Sequence, residues 1–210
     1  MLDLTVPTEP RSTGGTVVTP PDNASSVVLR LGADGRRELM VAGPRTRALY
    51  QVADDPGPSC VHLRLRPGQV RDLVDGPVRE LVDRLVPIAA PDTRRLSPPT
   101  PDDELVAAAT GLLATSGVGA TARRLGVSER RLRDLFAHTV GLAPKQFARI
   151  DRVRAVLTSP ADDLAAVAVR SGYYDQSHMT TEFHRLMGVP PAAFKSGLLP
   201  APSPCQRNDP

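Results

Sequence analysis

A chain of 210 residues, 40% of them hydrophobic, can bury one large core or two small ones. The net charge is only +3 and the pI about 9.2, with arginine carrying nearly all the positive charge and Lys145 and Lys195 the only lysines. No apolar run approaches the roughly 18 residues of a membrane span, and the start Met1-Leu2-Asp3-Leu4 is not that of a secretory leader, so a cytoplasmic protein is expected.

Residues 1–25 are rich in Pro, Thr, Gly and Ser without a sustained period and predict a flexible or irregular arm, either frayed or built of irregular strands. Val27-Val28-Leu29-Arg30-Leu31 reads as a strand, Asp34-Gly35 as a turn, and Glu38-Leu39-Met40-Val41 as the hairpin partner. Val61 to Arg66 alternates apolar and polar residues and stops at Pro67-Gly68, which predicts a half-buried strand with His62, Arg64 and Arg66 on its wet face. Val78, Leu81, Val82 and Leu85 recur at helical spacing and predict a short amphipathic helix over 77–86. Residues 26–90 therefore form a small β-rich domain with a short helix.

The proline-rich stretch 91–100 reads as a linker. Thr100-Pro101-Asp102-Asp103-Glu104 then opens a helix, with a Thr cap, Pro in the first turn and acids where the macrodipole favours them. Leu105, Ala108, Ala109, Leu112 and Leu113 give it one apolar face, and Gly117 and Gly119 end it. From residue 101 to 197 the pattern is helical throughout, so the fold class is α+β; residues 198–210 read as a disordered tail.

An internal repeat occupies the helical part. Ala122 is followed four residues later by Gly126, then by Val127, Ser128, Leu132 and Phe136; Ala168 is followed four residues later by Gly172, then by Tyr173, Asp175, Met179 and Phe183. In each copy a small residue lets two helices cross closely, a glycine takes the left-handed turn, and an apolar residue plugs the corner. Ser128 and Asp175 cap the following helix. Between the copies, Phe147, Ile150, Val153 and Leu157 define a helix from Pro144 to about Leu157, roughly 20 Å long at the usual rise.

With these residues in view, segment 119–195 resembles the DNA-binding domain of AraC/XylS-type transcription regulators. The resemblance runs through Ala122 to Phe136, Gly141-Leu142-Ala143-Pro144, Ala168 to His178, and Phe183 to Pro191 and Phe194. It implies an all-α domain of seven helices containing two helix-turn-helix units. Its two recognition helices, at about 128–139 and 175–186, would enter successive major grooves on one face of double-stranded DNA.

Within the first of these helices Leu132, Leu135 and Phe136 face inward, and the offsets −2, +1 and +2 from Leu132 select Arg130, Arg133 and Asp134 for the groove. The same offsets from Met179 select Ser177, Thr180 and Thr181, with Gln176 one step earlier. Arginine can bond guanine O6 and N7 together, glutamine can do so for adenine, and threonine methyls can meet thymine methyls. Arg131, Lys195 and the helix start at Ser128 suit phosphate. Residues 119–197 hold twelve Lys and Arg against seven Asp and Glu, a modest surplus that predicts salt-sensitive binding.

The resemblance further implies that the β-rich segment 26–90 senses a small molecule or dimerises, and it brings in RNA polymerase and a second copy of the chain as candidate partners. Arg45, Arg47 and Arg64 suit an acidic effector, or are simply surface arginines. Against an enzyme stands the absence of a Ser/His/Asp set, a glycine-rich phosphate loop or paired catalytic carboxylates. Cys60 and Cys205 lack any ligand partner at metal-binding spacing. No catalytic residue, metal or cofactor is therefore expected. The rival reading is a helical protein-interaction module that has lost DNA binding.

Overall fold

In the computed structural model the described residues are 11–13, 15–32, 34–52, 59–88, 97–160 and 163–203. Two antiparallel sheets make up the N-terminal half. One has three strands in the order β1 (Arg11–Thr13), β2 (Thr16–Thr19) and β5 (Leu49–Val52). The other has four, β6 (Ser59–Arg64), β3 (Ser26–Leu31), β4 (Arg37–Ala42) and β7 (Leu85–Pro87), with β3 in register against both neighbours: Val28 faces Met40 on one side and His62 on the other. The hairpin around Asp34-Gly35 is as expected, since β-branched and aliphatic residues flank a turn where Gly35 holds φ at 77°.

Three expectations about this half, and one about the C-terminal tail that packs on it, are corrected. Where the sequence over 1–25 predicts a frayed arm or irregular strands, the described residues include a regular strand, because Thr16–Thr19 pairs along its length with Leu49–Val52; residues 1–10 and 14 lie outside the described residues. The helix predicted over 77–86 is a short 3₁₀ turn, Val78–Leu81, followed by β7. Val78 and Leu81 are buried as the spacing required, but Asp83 takes φ 58° and breaks the helix. Its carboxylate is held by the Thr46 backbone N–H and hydroxyl, both at 2.6 Å. The wet face expected of β6 is partly covered. Arg64 is bonded to Asp22 and Asn23 at 2.7 Å and His62 is half-buried, whereas Val61, on the other face, is 52% exposed. The tail is ordered as far as Ser203, whose N–H donates to Tyr50 O at 2.9 Å and whose carbonyl accepts from Val52 N–H, so that it covers the open edge of β5. Residues 204–210 lie outside the described residues, as does most of the 91–100 linker.

The C-terminal half carries seven α-helices among the described residues: α1 (Pro101–Leu113), α2 (Val118–Arg124), α3 (Glu129–Thr139), α4 (Pro144–Thr158), α5 (Leu164–Arg170), α6 (Gln176–Met187) and α7 (Pro191–Lys195). The fold is α+β. The start of α1 is a full capping box: Thr100 Oγ1 accepts from Asp103 N–H and the Asp103 carboxylate accepts from Thr100 N–H at 2.9 Å. None of the described helices is long and apolar enough to cross a membrane.

The two halves share a core. Val41, Leu65, Val70, Val78 and Leu81 form a small cluster within the β-rich half. Val18 and Tyr50, by contrast, are buried with Leu132, Phe136, Val153, Met179 and Phe183 of the helices. The β-rich half is thus not packed as a self-contained unit. Polar ties reinforce the junction: Arg154 of α4 lies 3.1 Å from Asp22, and Asn23 donates to Asp151 at 3.2 Å.

Candidate nucleic-acid interface

The two repeat copies form matching corners. Ala122 and Ala168 are 2% and 0% exposed, where any larger side chain would push the crossing helices apart. Their carbonyls accept from the N–H of Val127 and Tyr173, both at 3.0 Å. Between them Gly126 and Gly172 take φ 68° and 77°, a backbone conformation that a side chain disfavours. The next helix is then capped in the same way in each copy. Ser128 Oγ accepts from Arg131 N–H at 3.1 Å, and Asp175 Oδ1 accepts from His178 N–H at 2.7 Å. These are two helix-turn-helix corners, α2–α3 and α5–α6, joined by α4.

Helix α3 is divided cleanly. Leu132, Leu135, Phe136 and Thr139 are buried, and Phe136 meets Phe147 of α4 edge-to-face with ring centroids 5.5 Å apart. Glu129, Arg130, Arg131, Arg133, Asp134 and His138 are exposed. Arg130 makes no ion pair among the described residues. Arg133 lies 3.7 Å from Glu129, a solvated pair of little energy. Arg131 is engaged by α1, both its bonds to the Asp102 carboxylate being 2.8–2.9 Å. The Ser128 hydroxyl is occupied by its cap, while its backbone and those of the first turn remain at the exposed helix start.

Helix α6 buries Met179, Glu182, Phe183, Leu186 and Met187. Gln176, Ser177 and Thr181 are exposed and Thr180 is half-buried; the Thr181 hydroxyl donates back to Ser177 O at 2.9 Å. Lys195 is exposed at the end of α7. The residues selected from the sequence thus lie on two separate helix faces, three of them on α3 and four on α6, with the phosphate candidates Ser128 and Arg131 flanking the first.

Sequence reasoning missed a buried ion cluster behind α6. Glu182 is 5% exposed and receives Arg149 Nε at 3.0 Å and Arg152 Nη2 at 2.7 Å, both from α4. The Arg152 guanidinium also lies over the Tyr173 ring, 5.1 Å from its centroid, and His178 meets the same ring edge-on at 5.3 Å. Burial, with the Glu182 carboxylate nearby, pushes the Tyr173 hydroxyl pKa up. Burial likewise pushes the Tyr50 hydroxyl up to about 12. The available signal was the position of Glu182, three residues after the inward Met179, where an acid must find a cation.

A family profile described as a helix-turn-helix domain matches residues 121–197, the span of both corners. Residues 121–197 are an AraC-type helix-turn-helix domain. The C-terminal half accordingly carries the DNA-binding domain of a transcription regulator. Among solved structures, the chain is similar to the DNA-binding domain of AdpA, a global transcriptional factor crystallised with a target DNA. That match has 29% identity and TM-score 0.42, and covers 47% of this chain and 93% of the other. A second is the C-terminal domain of AraT, a response regulator from Geobacillus stearothermophilus, with 18% identity, 54% and 97% coverage and TM-score 0.42. A third is ToxT from Vibrio cholerae, with 8% identity, 89% and 98% coverage and TM-score 0.48. No curated protein matches the chain.

Proposed function

We propose that this protein is a sequence-specific transcription regulator whose AraC-type domain inserts α3 and α6 into successive major grooves of double-stranded DNA. The observation that carries the reading is the duplicated corner. Two helices are started by the same cap-and-glycine device, each buries one face, and each leaves a polar face at equivalent offsets. On this reading Arg130, Arg133 and Asp134 contact bases from α3, and Gln176, Ser177, Thr180 and Thr181 from α6. Ser128, Arg131 and Lys195 meet phosphates. Arg131 must exchange Asp102 for phosphate on binding, or bridge both.

RNA polymerase, a second copy of the chain and a small-molecule effector at the β-rich half are further partners on this reading, which places the protein at the cytoplasmic nucleoid. Segments 26–90 and 101–197 are then the sensing and DNA-reading parts of one packed body. The test is selection of duplexes from a random pool by the full chain, followed by affinity measurements in a salt series. A reader enriches a defined sequence, and log affinity falls against log salt by about 0.9 per phosphate contacted. Replacing Arg130 and Arg133 by alanine should abolish that enrichment. A chain that enriches nothing yet captures a protein partner unchanged by those substitutions would be an interaction module instead.

A further inference from the structure

Three hydrogen bonds from the β-rich half end on the last turns of the two reading helices. The Ala48 N–H donates to Leu186 O at 2.8 Å and the Tyr50 hydroxyl to Met187 O at 2.6 Å, both at the C-terminal end of α6. The Gly68 N–H donates to Thr139 O at 3.2 Å, at the C-terminal end of α3. The final carbonyls of a helix have no partner within it, so a donor presented from outside both satisfies and locates them.

The donors belong to one body. Ala48 and Tyr50 lie at the start of β5, Gly68 follows β6, and all sit in the half that carries both sheets. The grip on α6 is shielded from water: Tyr50 is 7% exposed and shares the helical core with Val18, Phe183 and Met187. Its raised hydroxyl pKa keeps it a donor throughout the physiological range. A second brace on α6 comes from the Glu182 cluster of α4. It holds the helix from behind, whereas Tyr50 holds its end.

We propose that Tyr50 is a positioning residue for DNA reading: through Met187 it fixes the end of α6 against the same β-rich half that holds α3 through Gly68, and so sets the spacing of the two half-sites. This rests on the tandem reading proposed above. The β-rich half is then part of the ruler, whether or not it also senses a ligand.

The test is in vitro selection with the full-length wild type, Tyr50→Phe and Val41→Ala. Tyr50→Phe removes only the hydroxyl. Val41 is fully buried in the separate β-rich cluster, so Val41→Ala lowers stability without touching the grip. Wild type should enrich half-site pairs at one spacing, and changing the gap by one base pair should weaken binding by about tenfold or more, 1.4 kcal/mol per decade. In Tyr50→Phe that penalty should shrink to about threefold, with affinity for a lone half-site within about twofold of wild type. Val41→Ala should keep the wild-type spacing. The inference is overturned if Tyr50→Phe keeps the full spacing penalty, or if Val41→Ala relaxes it equally. A wild type that enriches only lone half-sites removes the tandem reading, and this inference with it.

Discussion

The two corners share a backbone plan and differ in what surrounds it. The α2–α3 corner presents a charged face, Arg130, Arg133 and Asp134, and its polar ties are exposed: Arg131 with Asp102 and Arg133 with Glu129. The α5–α6 corner presents uncharged polar groups and is braced from within by Glu182, Arg149, Arg152 and Tyr173. One corner puts its charge outside, where it can meet DNA; the other puts its charge inside, where it holds the helix. Duplication of a scaffold thus leaves each copy able to divide its charged residues differently between recognition and support.

Breaking the inner brace should have the largest effect. Removing one partner of a buried ion pair strands the other, so Glu182→Ala should cost about 3 kcal/mol in chemical denaturation, the low end for such losses because Arg149 and Arg152 are 29% and 19% exposed. Arg131→Ala, its counterpart in the first corner, should cost under about 1 kcal/mol. If the two losses are equal, the distinction between the corners fails.

On DNA the ranking reverses. Arg133→Ala should weaken binding to the selected duplex by about 2 kcal/mol, roughly thirtyfold, and relax specificity at one base pair. Thr181→Ala should cost less and leave the salt slope unchanged, since it removes no charge.

The glycines give a finer comparison. A methyl group on Gly126 meets nothing within 4 Å, while one on Gly172 lies 3.1 Å from the Ala114 carbonyl. Gly126→Ala should therefore cost about 1 kcal/mol, from left-handed backbone alone, and Gly172→Ala measurably more. The smallest effect is expected from Asp102→Asn. Stability should change by under about 1 kcal/mol, since that pair is exposed. Affinity for DNA should rise by about threefold as Arg131 is released, by the same order of energy.

What could be read from the sequence was what is local. Ala122, Gly126 and Ser128, and their counterparts Ala168, Gly172 and Asp175, announce the corners because each residue type answers a backbone demand within a few positions. The inward and outward residues of α3 followed from helical period alone. What escaped depended on partners distant in the chain. The inward position of Glu182 demands a cation, but its partners Arg149 and Arg152 come from α4, 33 and 30 residues earlier in the chain. Val78, Leu81, Val82 and Leu85 fit a helix, but Thr46 captures Asp83 and the chain turns into a strand instead. Tyr50, the only aromatic residue before α3, gave no sign that its hydroxyl would end on Met187, 137 residues away.

The central claim is that two helices read DNA in tandem, and a hydroxyl-radical footprint of the full chain on its selected duplex tests it most directly. The account predicts two protected patches on one face of the duplex, centred about 10 base pairs apart. Substituting Arg130 and Arg133 should erase one patch, and substituting Thr180 and Thr181 should weaken the other. A single patch, or loss of the same patch with both pairs of substitutions, would contradict it.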